Sequence, residues 1–206
     1  QVVSDIELNF TDASTTGAVK FKLPTKAVDN SALSENLEYF ILVDGDTLKT
    51  GTAAPGAIVN ENVTVVGGQT PFVIFVKNNA GESKRTVEKK WIGRDIPLQP
   101  EGIKLTLDTK SKVTLTWTAP TKGKNGGYVN PSDLRYKIVR YPDEVVVANS
   151  HIGTTFSEEI TPQTLTAYYY KVSAVNEGYT GEEIVSNKVL VGDPLEAPYV
   201  EEFDGQ

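Results

Sequence analysis

An internal repeat that keeps its order along the chain is the feature that most constrains the fold. The matched segments, in chain order, are residues 23–26 with 119–122, residues 37–41 with 134–138, Asn78 with Asn176, and Gly93 with Gly192. The offset grows from 96 residues at the first match to 99 at the last, as single-residue insertions in loops would produce. Chance likeness between two stretches of similar composition would not preserve this order. The repeat therefore predicts two copies of one domain of roughly 100 residues.

Each copy carries the alternating pattern of half-buried β-strands. Residues 113–118 alternate apolar side chains with three threonines, and residues 168–174 alternate in the same way. Turn-forming pairs such as Asp44-Gly45 separate these short strands, and helical periodicity is nearly absent. The pattern predicts an all-β chain built from antiparallel sandwiches.

Closely spaced prolines mark the boundary between the two copies. Pro97 and Pro100 make a short connection that is stiffer than ordinary chain. We therefore predict a first domain at residues 1–96 and a second at residues 97–193. The run after Asp193 repeats the exit from the first copy, so residues 194–206 are expected to be a linker and the truncated start of a further domain.

The second copy carries several spaced motifs of one family of β-sandwich domains. They are Leu115, Trp117 and Pro120 around the second strand, Tyr136 on the third, and Tyr168, Val172, Ala174 and Asn176 on the sixth. In these motifs the copy resembles a fibronectin type III domain. The first copy departs from the pattern, with Phe21 in place of Trp117 and Thr70 in place of Tyr168. The resemblance implies two tandem immunoglobulin-like sandwiches of seven strands each, and a tyrosine corner at Tyr168.

The resemblance extends to the setting of the domains. The chain is most similar to fibronectin type III modules of large multidomain proteins from Bacteroidetes-like gut bacteria. It implies a secreted or cell-surface location, with anchoring in the outer membrane through parts outside this fragment. The segment Asp46-Thr47-Leu48 also resembles a short acceptor sequence for O-glycosylation in such bacteria, which would modify Thr47.

Composition argues against several classes of function. The chain has 206 residues, a net charge of −7, no cysteine and a single histidine, His151, in a predicted loop. One histidine cannot build a serine triad or a multi-histidine metal site, and an acidic chain without a basic patch does not suit nucleic acid. The sequence also holds no apolar run long enough for a membrane helix. We expect no enzyme activity, no catalytic, metal-binding or cofactor-binding residue, and no membrane insertion by this fragment.

Two functions remain open from the sequence. The first is a non-catalytic extracellular spacer or scaffold, whose partners are neighbouring domains of the same polypeptide. The alternative is an adhesion module that binds a surface glycan or a host protein through loops, at residues 50–56 or 121–130, and through exposed tyrosines. The candidate contact residues, each in a loop or on the outward phase of a strand, are Tyr128, Tyr141, Tyr169 and Tyr179.

Overall fold

The computed structural model of the chain describes residues 1–193. By their internal contacts the residues form two compact units. The first consists of Gln1–Ile96 together with Lys122–Pro131, and the second of Pro97–Thr121 together with the chain from Ser132 onward. The expected start of a further domain at residues 194–206 lies outside the described residues.

The first unit is a sandwich of two antiparallel sheets. Its strands are β1 (Ser4–Asn9), β2 (Thr16–Lys22), β3 (Leu37–Val43), β4 (Asp46–Ala53), β5 (Ile58–Thr64), β6 (Gly68–Asn78), β7 (Gly81–Glu82) and β8 (Thr86–Ile92). One sheet has the order β1-β2-β5, and the other has the order β4-β3-β6, with β7 and β8 both paired to β6. Buried residues of both sheets form one apolar core, which includes Phe21, Ile41 and Phe72.

The second unit repeats this topology. Its strands are β9 (Glu101–Leu107), β10 (Lys112–Thr118), β11 (Leu134–Tyr141), β12 (Val145–His151), β13 (Thr155–Glu159), β14 (Thr166–Asn176), β15 (Tyr179–Val185) and β16 (Val189–Val191), with a 3₁₀ turn at Pro131–Asp133. The sheets have the orders β9-β10-β13 and β12-β11-β14, with β15 and β16 both paired to β14.

The order of strands confirms the predicted all-β class and the pair of immunoglobulin-like, fibronectin type III sandwiches. In each unit the fourth strand pairs with the third, and the predicted seventh strand is present as two segments, β7 with β8 and β15 with β16. The hairpin predicted at Asp44-Gly45 joins β3 to β4, and both residues have positive φ, 51° and 94°. This backbone matches the twist of the flanking strands and explains the glycine.

Equivalent aromatic pairs fill the two cores. Phe21 meets Tyr39 edge to face at 5.7 Å in the first unit, and Trp117 meets Tyr136 edge to face at 4.9 Å in the second. Phe21 is fully buried and Trp117 is 5 % exposed. Phe21 therefore fills the space between the sheets that Trp117 fills in the second unit, because a large buried ring in this arrangement supplies most of the local burial.

Two expectations about single residues are wrong. The hydroxyl of Tyr168 forms no hydrogen bond with main chain within residues 1–193, so the tyrosine corner is not formed; the Arg140 guanidinium instead lies 5.8 Å from the ring centroid. His151 ends strand β12 and does not lie in a loop. Its Nε2 lies 2.8 Å from the carbonyl oxygen of Thr155, and its ring packs on Trp117, so the histidine has a structural role.

Candidate functional site

Two of the four predicted contact tyrosines meet on the outward face of the second unit. Tyr141 on β11 is the cross-strand partner of Tyr169 on β14, and their rings stack with centroids 5.0 Å apart and planes 11° apart. Tyr168 and Tyr170, on either side of Tyr169, are buried in the core. The alternation of β14 therefore places Tyr169 outward, as the sequence predicts.

Two lysines contact the rings of this tyrosine pair. Lys188 Nζ lies 5.4 Å from the Tyr169 centroid, and Lys171 Nζ lies 5.0 Å from the Tyr141 centroid. Because β14 lies between β11 and β16, Tyr141 and Lys188 approach Tyr169 from opposite sides. The half-buried ring of Tyr169 is thus flanked by a stacked ring and a cation, a favourable arrangement. Sugar binding by tyrosine uses an open ring face, and in this arrangement Tyr141 and Lys188 both compete for the faces of Tyr169.

The other two predicted tyrosines lie elsewhere. Tyr179 begins β15, opposite Asn176 at the far end of β14 from Tyr169, and is 51 % exposed. Tyr128 is half-buried in the segment Lys122–Pro131, which belongs to the first unit. Its main-chain N–H donates to the carbonyl of Gly93 at 2.9 Å, so this tyrosine is held by the end of the first repeat.

A second stacked pair, which the sequence reading missed, lies on the first unit. Phe40 on β3 and Phe75 on β6 are cross-strand partners whose rings stack at 4.8 Å with planes 7° apart. The Arg85 guanidinium lies 4.6 Å from the Phe75 centroid. The sequence carries no signal for this pair, because the register that places the two phenylalanines opposite each other is set by how β3 pairs with β6.

A charged cluster also missed by the sequence reading joins the two sheets of the second unit. Arg140 on β11 contacts Asp143 at 2.6 Å and Glu158 on β13 at 2.8 Å, and Tyr170 donates its hydroxyl hydrogen to Glu158. Burial, with the bond to Glu158 second, raises the pKa of Tyr170, and the hydrogen bond from Arg140 lowers the pKa of Asp143. Every member is satisfied inside the cluster, which suits a structural brace more than a reactive site.

A buried carboxylate organises the segment Lys122–Pro131 within the first unit. Asp95 is 2 % exposed, and its oxygens accept hydrogen bonds from the main chain of Ile96, Asn125 and Gly127 and from the side-chain amide of Asn125, at 2.6–3.1 Å. A Cβ on Gly127 would lie 2.1 Å from Cδ1 of Trp91, so only glycine fits there. In the predicted ligand loop at residues 121–130, the main-chain N–H groups of Asn125 and Gly127 and the Asn125 amide therefore bind Asp95.

The first unit also has an open groove, with a volume of about 460 Å³. It lies between the loop after β2 and the β6–β7 hairpin, and its apolar lining includes Pro24, Val28 and Leu33. Val28 is 87 % exposed. The other predicted loop, residues 50–56, does not join this groove, and its first half is part of strand β4.

Residues 1–193 contain no group of three or more His, Cys, Asp or Glu side chains placed to hold a metal ion. No helix in that range is long and apolar enough to cross a membrane.

The chain is similar to several solved structures, and the similarity is one of fold. No protein-family model matches the sequence. A crystal structure of chicken CNTN1 FN1-FN3 domains is 14 % identical and aligns over 94 % of this chain and 67 % of its own, with a TM-score of 0.38. A two-domain fibronectin type III segment of chicken tenascin is 17 % identical over 93 % and 100 %, with a TM-score of 0.38. A crystal structure of titin domains is 14 % identical over 94 % and 67 %, with a TM-score of 0.41. The fold assignment rests on the strand order and cores described above.

Proposed function

We propose that the chain is a non-catalytic spacer of extracellular type, which holds neighbouring domains of a larger cell-surface polypeptide apart. One observation carries the proposal. The aromatic pair best placed to bind a ligand, Tyr141 with Tyr169, is occupied by its own stacking and by Lys171 and Lys188. A spacer needs a stable surface and no open site, and this closed arrangement suits that role.

The polar clusters of the chain support the same role. Arg140 and Glu158 brace two sheets, and Asp95 ties the segment Lys122–Pro131 to the end of β8. Such groups stabilise a module without presenting reactive side chains in a cleft, where catalytic residues are expected. The secreted or cell-surface location and the bacterial source belong to the proposal and rest on the sequence resemblance.

A second candidate function is a binding module, and the groove of the first unit favours it. Val28 stands 87 % exposed at the edge of an apolar cleft, where the side chain of a host protein or the apolar face of a glycan would be shielded from water. Tyr179, which is exposed on the second unit, offers a further contact. Single exposed apolar residues are common on monomeric proteins. Val28 and Tyr179 therefore support a binding module less strongly than the closed tyrosine pair supports a spacer.

The test is a binding screen of the intact chain on a glycan array and on immobilised extracellular-matrix proteins. Variants Val28→Asp and Tyr179→Ala remove the two open apolar contacts. Val66→Asp is a matched control for Val28, because Val66 is 86 % exposed on the same unit and does not line this groove.

The spacer proposal expects no specific binding by the intact chain at high micromolar concentration, and hence no difference among the variants. Binding that Val28→Asp or Tyr179→Ala abolishes and Val66→Asp leaves intact would overturn the proposal and establish the binding module.

A further inference from the structure

The two repeats end on equivalent residues in their sheets. In the first repeat Gln69 pairs with Trp91, and in the second Ala167 pairs with Leu190, one residue before the buried ends Ile92 and Val191. Gly93 and Gly192 follow with positive φ, 78° and 108°. Trp91 and Leu190 are therefore structural counterparts, and each repeat then carries an aspartate, Asp95 or Asp193, close to the glycine.

The first of these ends is covered and the second is exposed. Asp95 is 2 % exposed under the segment Lys122–Pro131, and Gly127 packs against Trp91. Leu190 is 57 % exposed, and the side chain of Asp193 is 73 % exposed. At the end of β16 the apolar side chain and the carboxylate are thus exposed, on either side of a left-handed glycine that is half-buried against Pro162 and Thr164.

The carboxylate of Asp193 forms an exposed ion pair that main-chain N–H donors could replace. Its carboxylate meets Lys110 Nζ at 2.5 Å, and the lysine side chain is 79 % exposed. Ion pairs at such exposure contribute little to stability, because solvent screens them and the long side chain loses freedom. Main-chain N–H groups held in one loop, like those that meet Asp95, lose less freedom on binding a carboxylate.

We propose that Leu190, Gly192 and Asp193, here called the exit surface, form a docking site for a glycine-rich loop of a further sandwich domain. The loop chemistry is that of Lys122–Pro131: two main-chain N–H donors spaced like those of Asn125 and Gly127, an asparagine amide for the carboxylate, and a glycine against the apolar side chain. This inference rests on the proposed function, because a spacer requires a neighbouring domain. Asp193 follows its glycine by one residue and Asp95 by two, so the docked loop shifts by about one residue.

The test uses a chain extended with its own repeat. The residues after Asp193 are replaced by a second copy of residues 96–193, which reproduces the junction at Asp95-Ile96-Pro97 and supplies a second copy of the glycine-rich loop. Hydrogen exchange is then measured at the amides equivalent to Asn125 and Gly127 in both copies of the loop. The variant Asp193→Ala, made in the original copy and not in the added one, removes the proposed acceptor. Asp95→Ala is the matched control for the loop in the first unit.

The proposal expects slow exchange in both loops. Asp193→Ala should raise exchange about tenfold in the added loop alone, and Asp95→Ala should do so in the original loop alone. Fast exchange in the added loop of the unsubstituted chain, or no response to Asp193→Ala, would overturn the proposal. Ligand binding in the array screen would instead overturn the spacer function and leave this exchange result unaffected, so the two failures are distinguishable.

Discussion

At the scale of single residues, the charged groups of this chain act as internal braces. Arg140, which is 16 % exposed at its side chain, links β11 to Glu158 on β13 and covers the ring of Tyr168. A charge at an inward position is costly unless every partner is present, and here the carboxylates and a tyrosine hydroxyl supply them. The sequence could predict the inward phase of Tyr168 and Tyr170. It could not predict this cluster, because Glu158 and Arg140 meet only when two separate sheets pack together.

The brace predicts a large effect for Arg140→Ala. Removal of the guanidinium leaves Glu158 without its cationic partner and uncovers the ring of Tyr168, so the free energy of unfolding of the second unit should fall by about 3 kcal/mol. Urea unfolding followed through the NMR amide signals of β11 measures this loss. Lys110→Ala, which removes an exposed ion pair of the same unit, should leave the midpoint unchanged. Equal effects of the two substitutions would refute the brace.

The hydrogen bond of the Tyr39 hydroxyl predicts that the stability of the first unit falls at alkaline pH. Its hydroxyl donates to Glu61 on β5 at 2.5 Å, and this hydrogen bond, with burial second, raises the pKa of Tyr39 to about 12. Because the folded-state pKa lies above the ordinary value of about 10, the contribution to stability is complete below about pH 10 and is lost as the pH rises toward 12.

The measurement compares wild type with Tyr39→Phe by urea unfolding, through the amide signals of β3, between about pH 9 and pH 12. The wild type should be the more stable at the lower pH, and the difference should shrink as the pH rises. A difference that stays constant over this range would show that the hydroxyl does not titrate as described.

At the scale of elements, strand β4 depends on one glycine. Gly51 is the cross-strand partner of Tyr39, and a Cβ on Gly51 would lie 2.2 Å from the Tyr39 hydroxyl oxygen. The tyrosine ring therefore lies over the bare backbone of β4 on its way to Glu61. Aromatic cover of a strand glycine compensates for the missing side chain. Residues 50–56 are predicted above to be a loop, but residues 50–53 belong to β4.

Gly51→Ala should destabilise the first unit by about 1–3 kcal/mol, because the new methyl group displaces the Tyr39 ring. Gly67→Ala is the matched control. A Cβ there meets its nearest atom at an ordinary 3.5 Å, so the change should be close to neutral. Thermal unfolding of the two variants beside the wild type measures both effects. An unchanged Gly51→Ala protein would contradict the packing of Tyr39 on β4.

At the scale of the whole molecule, the repeat made the fold predictable from the sequence. Two copies with the same strand phases and turn signals leave few topologies open, and the predicted core residues Leu115, Trp117 and Tyr136 are all buried. The candidate site was less predictable. Alternation placed Tyr169 outward, but only the register of β11 on β14 shows that Tyr141 stacks on it, and single-residue patterns carry no register.

The grouping of residues 122–131 with the first unit could not be predicted from the sequence either. By sequence position they lie between β10 and β11, yet their contacts group them with the first unit. Asn125 and Gly127 donate to the Asp95 carboxylate, and the main chain of Tyr128 bonds that of Gly93 and Asp95, which joins the segment to the end of the first repeat. The predicted domain limits at residues 96 and 97 remain a prediction drawn from the prolines and the repeat.

The central claim is that the tyrosine pair of the second unit is closed to ligands, and photo-CIDNP NMR tests it most directly. A flavin dye must reach an open tyrosine ring to polarise it, so the experiment reports the access on which sugar stacking depends. We expect a strong signal from Tyr179, assigned by its loss in Tyr179→Phe, and little from Tyr141 and Tyr169. Polarisation of Tyr169 as strong as that of Tyr179 would mean that its faces are open, and would contradict the spacer function.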